Sequence, residues 1–340
     1  MAYTTIDKSS LHFNTKLWTG TGSSNAITGV GFQPDWVWIK NRSATESHRI
    51  HDAVRGTNKS ISSDTNSSQT TTTQDVMSFD SDGFTLGTET AVNANGQNIV
   101  GWNWKANGAG SSNSDGSVTS TVSANTTSGF SIVKFDPTGA ACTIGHGLGV
   151  APKVIIAKAL NRTFSWVWGG DAIGWTKYLE LNESQAEATS TARWNDTAPT
   201  STVFSVKNEY NSGDNAIAYC FAEKQGFSKF GSYTGNGNAD GAFVYTGFKP
   251  AMVIIKLYST GAENWRMFDN KRIGYNPNNY KLYPSLSSAE GTSDLIDLYS
   301  NGFKPRSTSV EFNGSGNGYI YMAFAEAPLV GSNNIPATAR

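Results

Sequence analysis

The sequence predicts an all-β protein built from three tandem homologous β-sandwich repeats of jelly-roll-like type, each about 100 residues long. Roughly two fifths of the 340 residues are Ser, Thr, Asn or Gly, which are common in strands and turns. No stretch shows the sustained 3.6-residue periodicity of an amphipathic helix. Two sequence landmarks recur three times at nearly constant spacing, and such internal repetition indicates a repeated fold.

The first landmark is a glycine, two residues, a proline, five residues and a lysine. It occurs at residues 31–40, 149–158 and 247–256. The proline fits the entry to a strand, where its missing N–H does no harm. Residues 154–156 and 253–255 are apolar on both faces of the predicted strand. We therefore expect these strands in the centre of the fold, covered on both sides.

The second landmark is an apolar strand that ends on an aromatic ring, which is Trp104, Phe221 or Phe324. The proline of the first landmark precedes this ring by 70, 69 and 74 residues (34 to 104, 152 to 221 and 250 to 324). Between the two landmarks, Asp82-Gly83 and Asn301-Gly302 predict equivalent hairpin turns, since these residue types tolerate positive φ. Chance would not keep these positions in register.

The landmarks divide the chain into repeats at 11–108, 128–226 and 228–328. Residues 109–127 are almost entirely small and polar, which predicts a polar linker or a long loop. Residues 329–340 form an extended C-terminal tail in this division. The alternative arrangement places three sheets around one pseudo-threefold axis, and the expected flexible linker makes it the less favoured of the two.

Charge and composition exclude several classes of protein. Lys and Arg number 26 against 27 Asp and Glu, so no basic surface for nucleic acid is expected. No run of 18 apolar residues predicts a membrane span, and residues 1–10 lack the pattern of a secretory signal. Cys142 and Cys220 are too few for a disulfide framework in a chain of this size, and Cys220 is expected to be a buried side chain.

The strongest candidate for a metal site is the group His48, His51 and Asp52, because two histidines three residues apart with a carboxylate can bind zinc. The third repeat has Trp265 and Phe268 at the histidine positions, which favours packing over metal binding. We expect no metal and no cofactor.

Arg49 with Asp52 and Arg266 with Asp269 recur between repeats, and Arg55 and Arg272 follow each aspartate by three residues. The second repeat has Asp171, but glycine stands at position 174 where the arginine would be. A recurring Asp and Arg pair predicts a hydrogen-bonded loop brace. Glycoside hydrolysis would instead need two carboxylates facing each other across a cleft. We therefore expect no catalytic residue and no enzymatic activity.

Aromatic residues supply the candidate binding site. The chain has ten tryptophans, and several lie in or near predicted loops beside Asn, Asp and Ser. Flat rings next to amides and carboxylates are suited to sugars, whose C–H faces stack on aromatic rings. The glycan-binding candidates are Trp166, Trp168, Trp175, Trp194, Trp265 and Arg266. The alternative is that these rings fill the sandwich cores.

Four stretches carry a family resemblance: residues 3–10, 29–40, 145–149 and 233–237. They resemble repeated-domain bacteriophage virion proteins of marine phages, a poorly characterised family of tail-fibre-like proteins. The resemblance covers nearly the whole chain. It implies a structural component of the virion and supplies no catalytic residue.

The function expected on these grounds is a tail fibre or other appendage that contacts the host cell surface through a glycan. The alternatives are a capsid decoration (cement) protein and a glycan-cleaving tailspike. The expected partners are other virion proteins and further copies of the chain, with a trimer favoured because weak sites gain affinity when several are presented together. The protein would be made in the host cytoplasm and would act outside the cell as part of the virion.

Overall fold

The computed structural model describes residues 3–293 and 296–330, and β-strands dominate it, which confirms the all-β prediction. The strands of the first segment are β1 (Phe13–Thr19), β2 (Asn25–Thr28), β3 (Trp36–Asn41), β4 (Arg49–Asp52), β5 (Lys59–Ser60), β6 (Thr70–Thr71), β7 (Val76–Asp80), β8 (Gly83–Leu86) and β9 (Asn98–Trp104). Those of the second are β10 (Ser111–Asn113), β11 (Ser120–Asn125), β12 (Phe130–Phe135), β13 (Cys142–Gly145), β14 (Val154–Ala159), β15 (Val167–Gly170), β16 (Lys177–Glu180), β17 (Ala188–Thr189), β18 (Val203–Val206) and β19 (Ala216–Phe221). Those of the third are β20 (Ser228–Thr234), β21 (Val244–Tyr245), β22 (Phe248–Leu257), β23 (Arg266–Asp269), β24 (Ile296–Tyr299), β25 (Gly302–Pro305) and β26 (Gly318–Pro328).

Helical structure is confined to a 3-10 turn at Ser9–Leu11 and two single-turn helices, α1 (Thr90–Asn93) and α2 (Val310–Asn313), within the described residues. Residues 331–340 of the expected tail lie outside the described residues. Each segment builds one large antiparallel sheet and one small one that packs on it, and the first segment has in addition the two-stranded sheet β5-β6. We call the large ones the first, second and third sheets.

The three large sheets share one strand order. The first sheet is β1-β9-β3-β4 and the third is β20-β26-β22-β23. The second sheet has eight strands, and its middle four follow the same order as β12-β19-β14-β15. The small sheets are β2-β8-β7, β13-β18 and β21-β25-β24. Each packs its apolar side chains against a large sheet, which makes every segment a sandwich.

The landmark residues fall on equivalent places in these sheets. Pro34 precedes β3 and Pro152 precedes β14 by two residues, and Pro250 lies inside β22 at a shift in register. The closing ring stands opposite the residue two positions after the proline in all three sheets. These pairs are Trp36 with Trp104, Val154 with Phe221, and Met252 with Phe324. The boundaries of the repeats stay a prediction.

Both predicted hairpins form, with residues 81–82 and 300–301 as their two-residue loops. The glycine that follows each loop is required by close contact with the neighbouring strand. A Cβ on Gly83 would lie 1.8 Å from the carbonyl oxygen of Ile27, and one on Gly302 would lie 2.2 Å from that of Val244. No other residue type leaves room for these strands to meet.

The expected polar linker at 109–127 is wrong. It contains β10 and β11, and β11 pairs with β12 along six residues. Val122, in the middle of β11, is buried in the core of the second segment. A stretch of Ser and Thr can form a strand when alternate residues are covered, and composition alone does not distinguish that case from a loop.

The three large sheets share a hydrophobic core. Trp36 of the first sheet lies 4.3 Å from Trp104 of the same sheet, but also 5.5 Å from Phe130 and 4.5 Å from Tyr219 of the second, measured between ring centroids. Phe324 of the third sheet contacts rings of both others. The three large sheets therefore pack on one another in one core, which agrees better with the arrangement that the sequence made the less favoured one than with repeats separated by a flexible linker.

The shared core predicts a single cooperative unfolding transition. Replacing Trp36 by Ala removes a ring that touches two sheets, so we expect a loss of about 3–5 kcal/mol of unfolding free energy. Circular dichroism and tryptophan fluorescence in a urea titration should shift together. Trp18→Ala is the control, because this half-buried ring packs on Phe84 within the first segment. Two separated transitions in Trp36→Ala, one at the wild-type midpoint, would contradict a shared core.

Candidate functional site

The expected glycan-binding residues do not reach solvent. Relative exposure is 0% for Trp166 and Arg266, 1% for Trp168, Trp194 and Trp265, and 7% for Trp175. A buried ring cannot stack on a sugar, so the assignment of these six residues to glycan binding is wrong. Trp166 and Trp168 lie in or next to strand β15, and Arg266 begins β23.

Three of the ring side chains hold the segments together. His48, Trp166 and Trp265 each immediately precede the strand that pairs with the central landmark strand, which is β4, β15 or β23. A ring nitrogen of each bonds to a backbone carbonyl of a different segment. The bonds are His48 Nε2 to Tyr283 O at 2.9 Å, Trp166 Nε1 to Ser62 O at 2.7 Å, and Trp265 Nε1 to Glu180 O at 2.9 Å. The first segment thus bonds to the third, the second to the first, and the third to the second, which closes a ring.

A second set of bonds joins the same pairs of segments. The carbonyl two residues after each landmark lysine accepts from a backbone N–H in another segment. These bonds are Glu290 N to Arg42 O at 2.9 Å, Gln69 N to Leu160 O at 2.7 Å, and Glu187 N to Tyr258 O at 3.0 Å. We call the two sets together the seam. Because every member is satisfied by a partner far away in sequence, the seam fixes the relative positions of the three sheets.

The histidine group is part of this packing. Trp38 Nε1 donates to His48 Nδ1 at 2.8 Å, so the proton of the neutral ring lies on Nε2 and is donated to Tyr283. Burial lowers the pKa of His48 to about 3. His51 bonds to Thr57 O through Nδ1 and lies 3.3 Å from Asp75 through Nε2. Among the described residues, no three His, Cys, Asp or Glu side chains are arranged to hold a metal ion.

The recurring Asp and Arg pairs form braces, and each brace also binds another segment. Asp52 accepts from Arg55 Nε and, at 2.8 Å, from the hydroxyl of Tyr219 in the second sheet. Asp269 accepts from Arg272 Nε at 2.6 Å and from Trp102 Nε1 of the first sheet at 3.0 Å. Both carboxylates are fully buried. Their arginine partners supply the charge that makes this burial tolerable.

The second segment lacks the brace. Gly170 pairs with Val154 as Asp52 pairs with Trp36, so glycine occupies the aspartate position. A Cβ there would lie 2.6 Å from the ring of Trp168. Asp171, the nearest acid in the sequence, lies one residue after this position. Its side chain is 44% exposed, and it pairs with Lys153 and accepts from Trp175 Nε1 at 2.7 Å.

The landmark lysines are buried. The side-chain amines of Lys40, Lys158 and Lys256 each donate to the carbonyl of the following residue, at 2.6, 2.7 and 2.6 Å. Burial lowers their pKa values to about 8, 7 and 8. A lysine with a lowered pKa can act as a nucleophile, but these three are 0% exposed and repeat one geometry. Their role is to satisfy backbone at the end of the central strand.

Rings do reach solvent on the third segment. Phe243, Tyr245 and Tyr275 are 47%, 53% and 65% exposed. Phe243 also lies against Tyr299, at 5.8 Å between ring centroids, and its ring covers Gly302, where a Cβ would approach Phe243 Cζ to 2.8 Å. We call Phe243, Tyr245, Tyr275 and Tyr299 the aromatic face. Phe243, Tyr245 and Tyr299 lie in or next to strands of the small sheet β21-β25-β24, and Tyr275 precedes Asn276, whose side chain bonds to Leu298 in β24.

A cavity of about 480 Å³ adjoins the aromatic face. It is lined by Ala239, Asn276, Pro277, Asp297 and Arg306. Tyr299 donates its hydroxyl to Asp297 at 3.0 Å, and Arg306 Nη1 donates to the same oxygen at 3.2 Å. The tryptophan pattern of the sequence does not indicate this surface, since none of its rings is a tryptophan. The signal that could have found it is the alternation Phe243-Val244-Tyr245, which sends two rings to the same side of a strand.

The brace bond of Trp102 should be measurable. Trp102→Phe leaves the Asp269 carboxylate without its indole donor, whereas Trp104→Phe removes an indole N–H that has no partner. Both tryptophans are buried in β9. We expect Trp102→Phe to cost about 1–3 kcal/mol more unfolding free energy than Trp104→Phe in urea titrations. Equal losses would show that the bond to Asp269 contributes nothing.

The buried lysines predict a pH dependence of stability. The pKa of Lys158 is lowered from 10.5 to about 7, so the unfolded chain binds more protons than the folded one between these values. The free energy of unfolding should therefore rise from pH 7 to pH 9.5 and fall as the pH returns to 7. Lys158→Met should flatten this rise in urea titrations across that range. Lys229→Met, at a side chain that is 43% exposed, is the control and should keep the wild-type slope. An unchanged slope in Lys158→Met would contradict the prediction.

Two further expectations concern helices and cysteines. No helix among the described residues is long and apolar enough to cross a membrane. Cys142 and Cys220 are free and buried, as expected for Cys220.

Comparison with known proteins identifies a family but no described activity. No curated protein and no solved structure matches the chain. Residues 8–328 match one family model, and the chain therefore belongs to the family described as Domain of unknown function (DUF7483).

Proposed function

We propose that the protein is a structural, non-enzymatic component of a bacteriophage particle, a tail fibre or other appendage that contacts the host cell surface. The proposal rests on a difference between two groups of side chains, one buried between the sheets and one exposed on the surface. The recurring histidine, tryptophan, aspartate, arginine and lysine positions hold three sheets in one body. The aromatic face on the third segment is left for a partner.

The phage assignment is supported by the sequence resemblance of residues 29–40 and 233–237 to virion proteins. The geometry suits an appendage because the seam bonds join all three segments to one another. A surface bound to the particle on one segment would then hold the aromatic face of another in a fixed direction. The partners in this proposal are other virion proteins and the host surface, and the place of action is the virion. The expected homo-trimer stays a prediction.

A capsid decoration protein is the second candidate, and one observation favours it. The seam bonds run from the first segment to the third, from the third to the second and from the second to the first. This cyclic arrangement would fit a position where three capsid subunits meet.

The location of the chain in the particle tests the proposal. Gold-labelled antibody against the purified protein, viewed by electron microscopy on intact phage, should mark the tail or its fibres. Soluble protein added to host cells before the phage should also lower adsorption, because both would compete for the same surface. Labels spread over the head would favour the decoration protein. Absence of the chain from purified particles would contradict both candidates.

A further inference from the structure

We propose that the aromatic face and its adjoining cavity bind an uncharged saccharide. The inference rests on the proposed attachment function and names the ligand class of that surface. It replaces the buried tryptophans with a different set of residues on a different element.

The exposure of the rings points to a ligand. Nine of the ten tryptophans are buried, whereas Tyr275 is 65% exposed and Phe243 47% exposed. Tyr275 precedes a fixed loop position, because the Asn276 side chain donates to Leu298 O at 2.9 Å and accepts from Leu298 N at 3.0 Å. The backbone that carries this ring is thus fixed before binding, which lowers the entropy lost when a sugar stacks on it.

The fold does not require these rings. The small sheet of the first segment, β2-β8-β7, is built in the same way as β21-β25-β24. Thr28 and Asp80 flank Gly83 there, as Tyr245 and Tyr299 flank Gly302. The equivalent positions therefore carry a threonine and an aspartate in one segment and two tyrosines in the other. Two sheets of one construction differ in the side chains they present to solvent.

The charges favour an uncharged ligand. Arg306 lies 3.2 Å from Asp297 and 3.9 Å from Asp240, and Lys304 lies 2.5 Å from Asp240. Two acids and two bases thus neutralise one another at the edge of the cavity. An anionic sugar would have to displace Asp297 from Arg306. Neighbouring hydroxyls of a neutral sugar can instead bond to the carboxylate and the guanidinium together, while its C–H face lies on a ring.

Affinity electrophoresis tests the proposal directly. Purified full-length protein is run through gels that contain dextran, galactomannan or xyloglucan as neutral probes and alginate as the acidic one. We expect at least one neutral polymer to slow the protein, with little effect of added salt. Tyr275→Ala and Phe243→Ala should each weaken the interaction about tenfold, which corresponds to about 1.4 kcal/mol. Leu11→Ala, at an apolar side chain that is 42% exposed in the 3-10 turn Ser9–Leu11, is the matched control and should bind as the wild type does.

Several outcomes would overturn the proposal. It fails if no neutral polymer slows the protein, or if Tyr275→Ala and Phe243→Ala bind as tightly as the wild type while circular dichroism shows them folded. Salt-sensitive binding to alginate alone would assign the face to an acidic ligand. Self-association that disappears in Tyr275→Ala would assign it to a second copy of the chain. The particle location is measured separately, so failure here leaves the proposed virion role standing, and failure there leaves saccharide binding standing.

Discussion

Each of the three large sheets has an apolar face that is covered by the other two sheets. Trp36, Phe221 and Phe324, one from each sheet, belong to one buried cluster in which ring packs on ring. The small sheets cover the opposite faces, with separate apolar clusters in the first two segments. Central strands such as Val154–Ala159 are therefore buried on both sides, and burial of apolar area supplies the main driving force for the assembly.

The polar side chains in this core form hydrogen bonds that join one sheet to another. A buried polar group is costly without a partner, so a ring N–H aimed at a carbonyl of another segment favours one arrangement of the sheets over its neighbours. In the second segment one of these hydrogen bonds between sheets is absent. Gly170 replaces the aspartate, and Met322 of the third sheet occupies the place that Trp102 and Tyr219 hold in theirs. Acid and donor are thus both missing, and the ring of Trp168 fills the space.

Much of this architecture could be predicted from the sequence. The doubly apolar strands after Pro152 and Pro250, the hairpins at Gly83 and Gly302, and the Asp and Arg braces follow from local patterns. The partners of the rings could not be predicted, because Trp166 and its acceptor Ser62 lie 104 residues apart. Tryptophan occurs both in protein cores and in binding surfaces. Here the packing of one sheet on another determines that these tryptophans are in the core. The linker prediction was wrong at residues 120–125 for a related reason. A strand rich in hydroxyl side chains has the composition of a loop, and only its pairing with a neighbouring strand distinguishes the two.

The seam bonds between the first and third segments also constrain how the chain folds during its synthesis. The bonds of His48 to Tyr283 and of Glu290 to Arg42 join positions more than 200 residues apart, so they form only after most of the third segment has left the ribosome. Until then Trp104 of the first sheet and Phe221 of the second lack their contacts with Phe324, so part of the shared core is uncovered. Long-range contacts of this kind slow folding, and exposed apolar faces promote aggregation. A nascent chain of this design therefore has to remain soluble, by itself or on a chaperone, while its last hundred residues are synthesised.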